Sequence, residues 1–130
     1  MNNVVRVAYQ AMAAVLGGTQ SLHTNAYDEA LGLPTEDSVT IALRTQQILS
    51  EETGVPEVVD PLAGSVHIEY LTEQIVRGAR EKIEAILNSG GAMEAIKRGE
   101  QQRSIHESAW SQLTEIESNQ RRIIGVNHAQ

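Results

Sequence analysis

The sequence contains no cysteine and no phenylalanine, and only one tryptophan, Trp110, in 130 residues. Without cysteine there is no disulfide, no thiolate metal ligand and no cysteine nucleophile. Without phenylalanine, a core has to be assembled from aliphatic side chains. Basic residues are also short: ten lysines and arginines face seventeen aspartates and glutamates, a net charge of -7. That balance argues against generic nucleic-acid binding, which depends on positive charge meeting phosphates. No apolar run approaches the roughly 18 residues of a membrane span, and the N-terminus lacks the basic region, apolar stretch and cleavage site of an export signal. The chain reads as soluble and cytoplasmic, with neither a membrane nor a nucleic acid as partner. Internal repeats and low-complexity tracts are missing as well.

What is present is helical periodicity broken by glycine. Asn2 or Asn3 is expected to cap a first helix, in which Val4, Val5, Ala8, Met12 and Val15 recur until Gly17 and Gly18 stop it. Arg6 on this helix reads as a solvated or bridging side chain. Thr35 is expected to cap a second helix, with Glu36 and Asp37 in its first turn and Val39, Ala42, Leu43, Gln46 and Leu49 on one face. Gly54 and Pro56 end it, and residues 60–65 read as a turn. Ile68, Leu71, Ile75, Ala79, Ile83 and Leu87 make the clearest amphipathic helix, closed by Asn88-Ser89-Gly90-Gly91. A short helix around Met93, Ala95 and Ile96 follows. A last one carries Ile105, Ala109, Leu113 and Ile116, with Trp110 beside the seam. Residues 123–127 read as a terminal strand or connector. Adjacent Glu51 and Glu52 diverge on a helix and form no acid/base pair.

The stretch where chemistry is expected runs from Gly17 to Pro34. Thr19 to Asn25 is unusual as a buried strand, because Leu22 alone is strongly apolar where central parallel strands are near-continuous Val, Ile and Leu. Alternation places Thr19, Ser21, His23 and Asn25 on one side and Gln20, Leu22 and Thr24 on the other. Histidine is the side chain whose charge ordinarily changes near neutral pH, but no partnered nucleophile and no further metal ligands accompany His23, so neither a hydrolase triad nor a zinc site is supported. On the bare sequence it is a histidine that hydrogen-bonds and holds the loop, and Glu29 is an exposed loop carboxylate.

The ordered string is more specific than any of these pieces. Asn2-Asn3-Val4-Val5-Arg6, residues 11–16, the run Gly17-Gly18-Thr19-Gln20-Ser21-Leu22-His23-Thr24-Asn25, Asp28-Glu29-Ala30-Leu31 and residues 33–38 resemble the methylmalonyl-CoA mutase family, large subunit. So do Arg44-Thr45-Gln46, residues 51–55, Asp60-Pro61-Leu62 and Ile124-Gly125-Val126-Asn127, so that the likeness covers nearly the whole chain. One departure is Ala63, where the family usually has a second glycine before the serine.

The resemblance implies an α/β fold, the C-terminal fragment of a (β/α)8 TIM barrel followed by a mainly helical extension. Residues 1–60 would be the last helix-strand-helix portion of the barrel, and 61–130 the extension and connector towards an absent cobalamin-binding domain. It implies radical isomerisation of methylmalonyl-CoA and succinyl-CoA with adenosylcobalamin as cofactor. In barrels, reactive groups collect at the carboxyl ends of strands, where the 20–29 segment would lie. Asn25 and Glu29 would then bind the cofactor, an amide and a carboxylate suited to the two hydroxyls of the adenosyl ribose. Leu33, with Pro34, would contribute apolar surroundings, Gln20 would contact the acyl-CoA substrate, and His23 would be an active-site neighbour.

No acid or base and no metal ligand is assigned, and the Asp-x-His-x-x-Gly pattern of a cobalt-ligating domain does not occur. The expected partners are the remaining barrel and a cobalamin-binding chain, without which the chain is expected to be inactive. The N-terminal methionine is expected to reflect a split gene, a shortened reading frame or a deliberate truncation. An exposed strand edge and apolar helix faces predict association, including homo-oligomers. The alternative is a non-catalytic interaction or scaffold module, or a truncated relic of a related acyl-CoA mutase.

Overall fold

A computed structural model describes residues 1–130. Five α-helices run in order: α1 (Asn2–Leu16), α2 (Glu36–Glu52), α3 (Val66–Asn88), α4 (Gly91–Lys97) and α5 (Glu100–Glu117), with a single 3-10 turn, Val55–Glu57, after α2. The chain divides into two compact units, Met1–Ser65 and Val66–Gln130. None of the helices is long and apolar enough to cross a membrane.

In the first unit α1 packs on α2 and on the 3-10 turn. The helix α1 starts earlier than the asparagines predict. Met1 occupies the cap position without a side-chain cap bond, and Asn3 uses its amide elsewhere, donating to the Tyr27 carbonyl at 3.1 Å. Its C-terminus follows the glycine signal. The Gly17 amide donates to Ala13 O at 3.0 Å, and Gly18 takes φ +75, the left-handed region that favours glycine. The start of α2 follows the sequence. The Thr35 hydroxyl accepts from the Ser38 amide at 3.2 Å, and Glu36 and Asp37 fill the first turn, where the helix dipole favours negative charge.

The buried face of α2 is narrower than the apolar pattern predicts. Ser38, Ala42 and Leu49 are buried, while Val39 and Leu43 are exposed. Ser38 tolerates burial because its hydroxyl donates to the Thr35 carbonyl at 3.0 Å.

The predicted strand does not form. Residues 19–26 cross from α1 towards α2 as irregular backbone, and the sole β-type pairing anywhere is an isolated bridge between Ile124 and His128. The α/β expectation is corrected to an all-helical chain, and the strand edge expected to drive association is absent with it. The physical reason is pairing: a strand needs an extended neighbour for its ladder, and the segments beside 19–25 are the helices α1 and α2. The stretch is held instead by bonds to helix ends and faces. Thr19 N donates to Ala14 O at 3.1 Å, and Thr24 Oγ1 donates to Ala42 O at 2.7 Å. The 60–65 turn closes through Ala63 N to Asp60 O at 3.0 Å. Its positive φ values fall on Asp60 and Gly64, so Ala63 has no need of the family's glycine.

In the second unit α4 packs on both α3 and α5, and Ala95 is its one buried hydrophobic residue. The apolar stripe of α3 is open: Leu71, Ile75, Ile83 and Leu87 are all exposed, as is Trp110 on α5. The expected terminal strand is a turn built around Asn127. Its Oδ1 accepts from Ile123 N at 2.7 Å and its Nδ2 donates to Ile116 O at 2.7 Å and Arg121 O at 2.8 Å. Across the chain, four of the five buried hydrophobic residues are alanines (Ala11, Ala26, Ala42 and Ala95), the fifth being Leu49. The buried positions are therefore mostly small, and the larger apolar side chains stay partly or wholly exposed.

Candidate functional site

The polar face of α1, with Asn3, Arg6 and Gln10 at helical spacing, looks across a concavity of about 440 Å³ at residues 22–30. Three of the sequence-predicted residues, His23, Asn25 and Glu29, line it together. Two do not. Gln20 lies exposed ahead of the concavity, and Leu33 is 96% exposed beyond it.

The loop owes its shape to alternating burial. Thr24 and Ala26 are buried, so Asn25 between them is turned outward and exposed. Thr24 is fixed by two bonds to α2: its hydroxyl donates to Ala42 O at 2.7 Å and accepts from Gln46 Nε2 at 2.8 Å. Such a buried hydroxyl, with donor and acceptor roles both filled, resists rotation.

Residues 26–29 then close on themselves. The Glu29 amide donates to Ala26 O at 3.1 Å, and the Ala26 amide donates back to Glu29 Oε2 at 3.3 Å. This is a turn rather than the helical turn that the Asn25 and Glu29 spacing implied, yet both side chains line the same concavity. One oxygen of the exposed Glu29 carboxylate is held by the backbone, which leaves the other facing solvent as an acceptor. Between them, Glu29 and Asn25 offer acceptors and an amide donor, the complement of a vicinal diol. Asp28 turns the other way, with a buried Oδ1 that has no hydrogen-bond partner.

Arg6 and Tyr27 are the lining residues that sequence reasoning passed over. Arg6 Nη1 donates to Asn3 Oδ1 at 2.8 Å, the bridging role expected of it, but it also lines the concavity. The available signal was the polar triplet Asn3, Arg6 and Gln10, which shares one helix face. No three histidine, aspartate or glutamate side chains come together so as to hold a metal ion. A second, apolar groove of about 620 Å³ runs between α1 and α2, lined by Val4, Tyr9, Met12, Ile41 and Ile48 among others, with Arg44 at its edge.

Comparison with known proteins agrees with the ordered string of residues. The family model for methylmalonyl-CoA mutase matches residues 1–130. The methylmalonyl-CoA mutase of Escherichia coli K12 is 52% identical over 126 residues, 97% of this chain and 18% of that protein. The human mitochondrial methylmalonyl-CoA mutase is 48% identical over 129 residues, 99% of this chain and 17% of that protein. The 2-hydroxyisobutanoyl-CoA mutase large subunit of Aquincola tertiaricarbonis is also 48% identical, over 127 residues, 98% of this chain and 23% of that protein. The chain thus spans about a fifth of the length of the curated relatives it matches. With a match running from its first residue to its last, the chain belongs to the methylmalonyl-CoA mutase family.

Proposed function

We propose that this chain supplies one wall of the binding cleft of an adenosylcobalamin-dependent acyl-CoA mutase, and that it works only with the remaining (β/α)8 barrel and a cobalamin-binding chain or domain. The observation that carries this reading is the Asn25 and Glu29 pair, exposed on a shared concavity within the run that matches the family. These two residues fit the adenosyl ribose of the cofactor: the solvent-facing Glu29 oxygen accepts from one hydroxyl, and the Asn25 amide donates to or accepts from the other.

Adenosylcobalamin, when bound, supplies the radical chemistry of the isomerisation. The chain's own residues bind and orient. The Ala26 amide holds Glu29, the Thr24 anchor holds the loop, and His23 borders the cleft. Gln20, exposed before the concavity, is assigned to the acyl-CoA, and Leu33 with Pro34 to the apolar surroundings of the cofactor. Both need the missing parts of the cleft around them, which agrees with their exposure here. The open apolar faces of α2 and α3 support the same conclusion, because unpartnered patches of this kind are covered in a larger assembly.

The acyl group is assigned to methylmalonyl-CoA and succinyl-CoA. A 2-hydroxyisobutanoyl-CoA mutase large subunit matches this segment about as well as the methylmalonyl-CoA mutases do.

The test is turnover of methylmalonyl-CoA with adenosylcobalamin by the chain alone and by the chain mixed with polypeptides that supply the earlier barrel strands and the cobalamin-binding domain. Activity is expected only in the mixture. An inactive mixture whose partners are folded and bind cobalamin would leave a scaffold or relic as the better account.

A further inference from the structure

We propose that Asn3 and Arg6, on the first two turns of α1, are positioning residues that pin the 24–29 loop and thereby set the Asn25 and Glu29 pair; the ligand half of this inference rests on the ribose reading above. The loop is tied at two points with Asn25 between them. On one side Thr24 is fastened to α2 through Ala42 and Gln46. On the other, Asn3 Nδ2 donates to the Tyr27 carbonyl at 3.1 Å, across 24 residues of chain.

A carboxamide can present either its oxygen or its nitrogen to a carbonyl, and the wrong choice is repulsive. Arg6 decides the choice. The guanidinium has donors only, so Nη1 at 2.8 Å from Asn3 Oδ1 holds the oxygen on its own side and turns the amide nitrogen towards Tyr27. Both residues lie on the concavity wall opposite Asn25 and Glu29. Their effect reaches the turn directly, because Tyr27 is the residue after Ala26, whose amide holds Glu29 Oε2.

Asn3→Asp is the sharpest probe. It keeps the oxygen that Arg6 contacts and replaces the donor with an acceptor facing a carbonyl. Amide hydrogen exchange, resolved residue by residue on the 130-residue chain, reads the result without any cofactor. Ala26 and Glu29 are expected to exchange about tenfold faster in N3D, the loss of one hydrogen bond, and about threefold faster in Arg6→Met, which removes the donor to Asn3, with the α2 amides and the helix content unchanged. Unchanged exchange at Ala26 and Glu29 in N3D overturns the proposal, as does a uniform acceleration across the first unit. Should N3D fail to fold, R6M decides, because it removes the donor that orients Asn3, and unchanged exchange in it overturns the proposal.

The ligand half is read separately, by titrating 5′-deoxyadenosine into the chain combined with its complementary polypeptides. N3D is expected to weaken that binding about tenfold while leaving the affinity for acyl-CoA unchanged. If Asn25→Ala and Glu29→Gln leave 5′-deoxyadenosine binding untouched, the ribose reading falls, and the exchange result alone decides whether Asn3 and Arg6 position the loop.

Discussion

The two units of the chain are of nearly equal size and hold themselves together in different ways. In Met1–Ser65 the side-chain bonds that matter join residues far apart in sequence: Asn3 to Tyr27, Thr24 to Ala42 and Gln46 to Thr24. In Val66–Gln130 the side chains bond near home, and the farthest reach is from Asn127 to Ile116. Charge divides the same way. The first unit has only two basic residues, Arg6 and Arg44, against eight acidic ones, whereas the second has eight against nine. Both of the scarce arginines line a concavity, Arg6 the polar one and Arg44 the apolar groove. The lesson is that regular helix is cheap to specify locally, while a loop that presents functional groups has to be tied to elements distant in sequence.

Two pairs of substitutions and one single change can break or sharpen that contrast, each read by chemical denaturation followed on amide signals from the two units. The largest effect is expected at Leu49, the one large hydrophobic side chain that is buried. Leu49→Ala should destabilise the first unit by about 3 kcal/mol, whereas Ile105→Ala on α5, where the side chain is 69% exposed, should stay within about 0.5 kcal/mol in the second. Equal losses would erase the contrast.

Next comes the buried hydroxyl. Thr24→Val leaves Ala42 O and Gln46 Nε2 without their partner and is expected to cost about 2 kcal/mol. Its local counterpart, Arg98→Ala, removes the bonds to Ser89 O and Glu100 and should cost about 0.5 kcal/mol, as exposed ion pairs do. The smallest effect within the first unit is expected at Gly18. A methyl group there meets no atom within 4 Å, so Gly18→Ala carries only the cost of φ +75, about 1 kcal/mol. That cost should fall on the first unit alone. A larger loss would mean that the entry to the loop is itself a tertiary contact.

The sequence was most legible where structure is local. The periodic apolar residues of α3 and α5, the glycines after α1 and α3 and the Thr35 cap all correspond to elements found, because each depends on neighbours within a few residues. The strand over 19–25 was not legible, because strand formation depends on an extended partner segment and none lies beside it in this chain. The Asn3 cap failed for a related reason, since its amide is claimed by Tyr27, 24 residues away. Of the site, His23, Asn25 and Glu29 were named through the family resemblance of their run, since on the bare sequence His23 and Glu29 read as ordinary loop residues. Arg6 was not named, because its place on the concavity exists only once residues 22–30 fold back across α1. Gln20 and Leu33 lie off the concavity, where no residue of this chain closes over them.

The alanines at four of the five buried hydrophobic positions predict an unusual pattern of tolerance to substitution. An ordinary core tolerates exchange among leucine, isoleucine and methionine because volume lost at one position can be recovered at the next. At Ala11, Ala26, Ala42 and Ala95 there is almost nothing to lose and every larger side chain forces elements apart. A saturation library should therefore accept glycine or serine at these four positions and reject nearly everything else, while the exposed leucines and isoleucines of the isolated chain drift freely. If complementary polypeptides cover these faces as proposed, the exposed positions should become constrained only in their presence, so comparing the two libraries tests that proposal from sequence tolerance.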